Sequence, residues 1–253
     1  MLGLLPGFSS RPTGSNLSLG REPLGMRSSL AWLGLEVRDL AVARTFYEDR
    51  LSLSVIETAD QRATFAAGDA RLHLRRPTTV PRGGVHTHFA FSIPATEYDV
   101  WWERLSRIAD LEEHRFGEMR SLYLDDPDGH CVELGQRDVE GPGIDGIFEV
   151  VLEVRDLETA EAFYADLGFE TVDRGESRRR VRMDGPVDLE LWEPQLGLAG
   201  ARGGLHVDLG FTVADPSAVV DAVGDRARDV VERSDGSVVI RDRDDHHLTF
   251  RPE

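Results

Sequence analysis

Leu35-Glu36-Val37-Arg38-Asp39-Leu40 recurs letter for letter as Leu152-Glu153-Val154-Arg155-Asp156-Leu157, 117 residues further on. At the same offset Phe46-Tyr47 returns as Phe163-Tyr164. Two more strings follow in the same order. Arg-Gly-Gly-x-His stands at 82–86 and 202–206, an offset of 120, and Asp-x-Asp-x-His at 126–130 and 242–246, an offset of 116. Three ordered matches at near-constant spacing mark a duplication. The copies are read as 29–137 and 147–253, with 138–146 as linker around Gly141-Pro142-Gly143.

Each copy reads the same way. An apolar strand opens it, Leu30 to Val37 in the first and Phe148 to Val154 in the second. Asp39 or Asp156 follows, and its carboxylate can accept the orphan N–H groups of a helix start. Leu40, Ala43, Phe46 and Tyr47 then fall at helical spacing, as do Leu157, Ala160, Phe163 and Tyr164. Short strands are expected over 54–58, 63–66 and 71–74. A further strand starts at His88, a helix covers about 97–108, and three strands end at Leu134. In the second copy Asp215-Pro216 gives an N-cap with proline in the first turn. The pattern is βαβββ, twice per copy: an α+β chain of four modules.

Composition bounds the partners. The chain has 253 residues and a net charge of −17, with 46 acidic against 29 basic residues, every basic one an arginine. Such a surface repels nucleic acid. No apolar run reaches the roughly 18 residues of a membrane span. The single cysteine, Cys131, excludes an internal disulfide and fits a reducing, cytoplasmic setting. An acidic, lysine-free chain resembles proteins of salt-loving archaea, and predicts an unfolding midpoint that rises with salt as carboxylate repulsion is screened. Residues 1–28 carry no periodicity and no basic n-region. They read as a disordered tail rather than a secretory signal, with Met26 as an alternative start.

The stretch Ser121-Leu122-Tyr123-Leu124-Asp125-Asp126-Pro127-Asp128-Gly129-His130-Cys131-Val132-Glu133-Leu134, together with the module order, resembles the vicinal oxygen chelate superfamily of glyoxalases, bleomycin-resistance proteins and extradiol dioxygenases. The resemblance covers residue 29 to the C-terminus. It implies two tandem glyoxalase-like domains with curved mixed sheets, two modules closing each cup. It also implies a divalent metal in the cup that chelates neighbouring oxygens of a small molecule. Carried over position by position, it points to His73, His88 and Glu133 as ligands in the first copy. Trp32 stands where the first ligand is expected and lines the cup instead. His86, Tyr123 and Arg120 are further cup candidates. The equivalents in the second copy are Glu149, Glu190, Asp208 and Thr249, a ligand-poor set without histidine.

Two imidazoles and a carboxylate would suit Fe²⁺, Mn²⁺, Ni²⁺ or Zn²⁺. The competing reading of His88 with Glu133 is a buried ion pair, and of His73 a strand histidine. His130 and His246 are expected at turn or solvent contacts, Cys131 as a small buried hydrophobe, and the arginines at 178–180 as a solvated face. Two functions follow. One is a metal-dependent enzyme, a lyase, isomerase, dioxygenase or antibiotic-modifying transferase, acting on a small oxygen-rich molecule. The other is a metal-free protein of bleomycin-resistance type that sequesters a ligand, for which the acidic surface suggests a cationic one. Four modules allow a monomer or a homodimer.

Overall fold

A computed structural model describes residues 30–77, 86–176, 179–194 and 207–253. The expected tail over 1–28 and the two Arg-Gly-Gly turns lie outside the described residues. The first module comprises β1 (Trp32–Glu36), α1 (Leu40–Thr45, running on as a wider turn through Phe46–Arg50), β2 (Val55–Ala59), β3 (Arg62–Ala67) and β4 (Ala70–Arg75). The second comprises β5 (His86–Pro94), α2 (Tyr98–Leu105), β6 (Glu112–Phe116), β7 (Met119–Asp125) and β8 (Cys131–Arg137). The third comprises β9 (Gly146–Glu153), α3 (Leu157–Asp166), β10 (Glu170–Arg174), β11 (Arg180–Asp184) and β12 (Asp188–Trp192). The fourth comprises β13 (Val207–Val213), α4 (Pro216–Val223), β14 (Asp229–Glu232), β15 (Val238–Arg241) and β16 (His247–Pro252). The expected βαβββ order appears four times. Asp39, Asp156 and Asp215 each cap a helix as the sequence predicts, accepting from the backbone N–H groups of its second or third residue.

The modules form two eight-stranded mixed sheets. One runs β14-β15-β16-β13-β1-β4-β3-β2 and the other β10-β11-β12-β9-β5-β8-β7-β6. Each sheet therefore takes one module from either sequence copy. The first and fourth modules join through antiparallel β1 and β13, the second and third through antiparallel β5 and β9. This corrects the expectation that the first two modules share a cup. All four opening strands present the same apolar edge, so the repeat identifies equivalent modules but not partners. Leu33, Leu35, Phe89, Phe91, Val150, Leu152, Leu209 and Phe211 lie at these joints and are almost fully buried.

Within a copy, the modules are tied differently. Tyr47, on the wide turn after α1, donates to Asp126 Oδ2 (2.9 Å), and His130 Nδ1 lies 3.0 Å from the same oxygen. Asp126 Oδ1 accepts the N–H groups of Asp128 and His130. Arg38 grips the same turn through Asp128 Oδ1 and the Pro127 carbonyl. The second copy repeats every part: Tyr164 donates to Asp242 Oδ2 at 2.9 Å, His246 Nδ1 lies 2.8 Å from it, and Arg155 bonds Asp244 and the Arg243 carbonyl. The repeated strings are thus the two halves of one clasp, arginine and tyrosine from one module closing on the hairpin of the next. His130 and His246 are buried inside it rather than solvent-facing. Gly129 supports the first hairpin turn with a φ of +86°.

Candidate metal centre and its empty counterpart

Cup-facing side chains follow from strand alternation, with one exception. In β8, Glu133 and Arg137 share the face of Cys131. In β9, the pairing with β5 skips Phe148, since Ala90 opposes Glu149 and Phe91 opposes Ile147. That bulge lets Phe148 and Glu149 both turn into the cup. The ring of Phe148 crosses β8 where residue 135 is glycine; a Cβ there would stand 3.0 Å from its Cζ.

His88, Glu133 and Glu149 are the group of possible metal ligands found among the described residues. His88 Nε2 is 3.4 Å from Glu133 Oε2 and 3.4 Å from Glu149 Oε1, with all three side chains almost fully buried. Both separations exceed a good hydrogen bond. They match two ligands each about 2.1 Å from one tetrahedral ion, which lie about 3.4 Å apart. Glu133 Oε2 is buried without a hydrogen bond. The other oxygen of Glu149 faces Arg182 (3.2 Å), which also binds Asp188 (2.6 Å), so Glu149 is aimed with Oε1 towards His88. The residues fit a divalent ion.

The electrostatics agree. Burial alone would suppress the charge of His88, but Glu133 and Glu149 outweigh it and raise its pKa to about 10. Burial pushes Glu133 the other way, and the charge of His88 brings it below the ordinary carboxylate value. Without metal, an imidazolium therefore offsets one of the two carboxylates and Arg182 faces the other. Glu190, the fourth position of this cup, is turned aside: its oxygens take Trp192 Nε1 (2.8 Å) and Arg180 (3.2 Å), and burial with the nearby Glu149 charge raises its pKa. Tyr123 and Trp192 pack edge-on against His88, with ring centroids 5.6 and 5.7 Å away. The enclosed space is about 40 Å³, lined also by Phe116, Arg137 and Phe148.

The other sheet carries Trp32, His73, Asp208 and Thr249 and no such cluster among the described residues. His73 lies here, not beside His88. It sits 2.9 Å from Thr64 Oγ1, and burial together with Arg62, Arg71 and Arg75 lowers its pKa to about 4. Trp32 fills the ligand position, its ring on Gly210, where a Cβ would meet it at 2.0 Å. Asp208 is occupied by Thr249 (2.8 Å) and Arg75 (3.3 Å). Trp32 therefore closes this cup.

Arg120 stacks on Tyr98 and pairs with Asp99 at 2.9 Å. It lies on the helix side of β7, because alternation sets it opposite to Tyr123. His86 begins β5, and its side chain lies outside the described residues. Cys131 is half-buried rather than a core residue, and burial pushes its thiol up to about 12. Arg180 is not a solvated arginine but the partner of Glu190 and Asp173. A hollow of about 600 Å³ behind the second clasp is larger than the metal cup. Its arginines 155, 226 and 228 are ion-paired to Asp244, Asp166 and Asp245, so it offers no comparable chemistry. Arg137, Phe148, Arg182 and Trp192 were not singled out from the sequence. Arg137 and Trp192 could have been, standing four residues after Glu133 and two after Glu190.

Known proteins bear on this geometry. The metallothiol transferase FosB of Staphylococcus saprophyticus is 31% identical over 116 residues, 43% of this chain and 77% of that protein. The glutathione transferase FosA of Serratia marcescens is 30% identical over 114 residues, 43% of this chain and 81% of that protein. In fold, a putative dioxygenase of Bacillus subtilis superposes with a TM-score of 0.69 at 15% identity, over 89% of this chain and 85% of its own. Glyoxalase I of Zea mays does so with a TM-score of 0.66 at 17% identity, over 88% of this chain and 91% of its own. These relatives are bacterial and plant proteins and lend no support to an archaeal origin. The family model for the Glyoxalase/Bleomycin resistance protein/Dioxygenase superfamily matches residues 29–134, and with relatives covered to this extent the chain belongs to that superfamily.

Proposed function

We propose that the chain is a divalent-metal-dependent enzyme acting on a small oxygen-rich molecule, with His88, Glu133 and Glu149 as its metal ligands. The observation that carries this is the convergence of one buried imidazole and two buried carboxylates at spacings that suit an ion. One nitrogen and two oxygens form a harder set than two histidines and a glutamate, which favours Mn²⁺ or Fe²⁺ over Ni²⁺. A bound ion would supply a Lewis acid that polarises adjacent substrate oxygens. The protein's own part is to aim Glu149 through Arg182, to exclude water with Tyr123, Trp192 and Phe148, and to keep Glu190 close as a carboxylate of raised pKa. The likeness to FosB and FosA supports transfer of a thiol to a small molecule as the reaction class. A reducing cytoplasmic setting suits that class and the single thiol. Salt adaptation rests on composition alone.

The test is metal analysis of protein purified without chelator, then reloaded with Mn²⁺, Fe²⁺ and Zn²⁺. About one ion per chain is expected, falling to near zero in His88→Ala and Glu149→Gln. Protein that takes up none of these metals rejects the reading. A second reading, ligand sequestration without metal, is favoured by the charge balance that His88 provides in an ion-free cup. It predicts thermal shifts with small ligands and none with metals.

A further inference from the structure

Arg137 differs from every other arginine around the metal cup. Arg182 is committed to Glu149 and Asp188, and Arg180 to Glu190 and Asp173. Arg137 lies flat over Phe148, 3.6 Å from the ring centroid, and donates to the carbonyl of its own neighbour, Gln136. No carboxylate pairs with it among the described residues, although it is largely buried. It lines the metal cavity together with Phe148, and the same two residues line a second space of about 520 Å³ beside Asp69, Ser92, Asp138 and Asp145. A guanidinium with donors to spare, held rigid on an aromatic face between the ion's position and a roomier hollow, is built to receive an anion.

Charge points the same way. The cavity is lined by three carboxylates, Glu133, Glu149 and Glu190, and two guanidiniums, Arg137 and Arg182. Adding a divalent ion beside a neutral His88 leaves that lining with one positive charge in excess. A cationic ligand would add to it and an anionic one cancels it. This local balance runs against the net charge of −17, which governs approach at long range but is screened within about 10 Å at ordinary salt. The cationic ligand suggested by bulk composition is therefore the wrong sign for this cup.

We propose that Arg137 is the specificity-determining residue of the metal cup, holding an organic oxyanion of the ligand while a neighbouring ligand oxygen reaches the metal position. This rests on the metal-enzyme reading above. Its recognition is of negative oxygen, whether carboxylate or phosphonate. An α-hydroxy acid presents the matching pair of groups, and the corresponding amide does not.

The experiment is calorimetric titration of the Mn²⁺-loaded full chain with lactate, hydroxymethylphosphonate and lactamide. Lactate or the phosphonate should bind on the order of 10- to 100-fold more tightly than lactamide, the range expected for charge-assisted hydrogen bonds. The tighter of the two identifies the oxyanion. Arg137→Met keeps an apolar side chain over Phe148 and should remove that preference without lowering Mn²⁺ affinity; Arg137→Lys should restore part of it. Equal binding of lactate and lactamide, or an Arg137→Met protein that retains the preference, overturns this inference and leaves the metal site standing. Failure to load Mn²⁺, Fe²⁺ or Zn²⁺ overturns the metal reading and this inference with it.

Discussion

At the scale of the residue, the cup turns on His88. Its folded pKa of about 10 lies above the ordinary histidine value near 6.5 because two carboxylates outweigh burial. A raised folded pKa contributes stability that is fully present below about 6.5 and is lost as pH rises towards 10. The metal-free protein should therefore lose stability across that window in urea titrations, whereas His88→Gln should lose the pH-dependent part. Metal must displace the same proton. Below pH 10, the apparent metal affinity should rise by about tenfold per pH unit, and uptake should release about one proton. An affinity that stays flat between pH 6 and 9 would mean that His88 is not a ligand. Arg182 acts on the same centre through Glu149. Arg182→Met should weaken metal binding about 10- to 100-fold, the usual cost of losing a group that orients a ligand.

Elements are held by the paired clasps. In each, a buried aspartate is bonded by a tyrosine, a histidine and two backbone N–H groups. Burial raises the pKa of Asp126 and Asp242, but the histidine contacts outweigh it, and both end below the usual aspartate value. A depressed folded pKa contributes stability that is present above the unfolded value near 3.9 and is lost as pH falls through the folded value. Acid unfolding should accordingly steepen below about pH 4 and flatten in Asp126→Asn. Tyr47→Phe and Tyr164→Phe should each cost about 1–3 kcal/mol, since a buried carboxylate oxygen loses a donor. Urea midpoints at pH 7 measure this, and a cost near zero at both sites would deny the clasp its structural part.

For the whole molecule, the decisive feature is that sheets and sequence copies do not coincide. Every cup draws on both copies, so neither 29–137 nor 147–253 can complete its sheets alone. A fragment ending at Glu140 would expose the β1 and β5 edges that β13 and β9 cover in the full chain. We expect it to dimerise, with β1 of one copy against β5 of the other, or to aggregate, as unpaired apolar edges do. Sedimentation of the fragment checks this, and a stable, compact monomer would count against the shared-sheet arrangement. The same arrangement explains why the described residues hold one candidate metal centre. His88 and Glu133 of the second module meet Glu149 of the third, while Trp32 of the first meets Asp208, Thr249 and Gly210 of the fourth.

Much of this was legible in the chain. Periodicity and the repeated strings determine four βαβββ modules, because burial demands apolar residues every second position in a strand and every three or four in a helix. The capping aspartates and the Asp-Gly turn are equally local. His88 and Glu133 follow from the superfamily resemblance carried over position by position, and so do the vacancies at Trp32 and Thr249. What only the tertiary structure decided is which module meets which. Modules with equivalent edges are interchangeable in sequence, and the choice between them is made by pairing energies summed over whole strands. That choice removed His73 from the candidate metal centre and brought in Glu149. A one-residue bulge at Phe148 then aimed that glutamate and set the aromatic floor beneath Arg137, and nothing in local residue preference reports a register shift between distant strands.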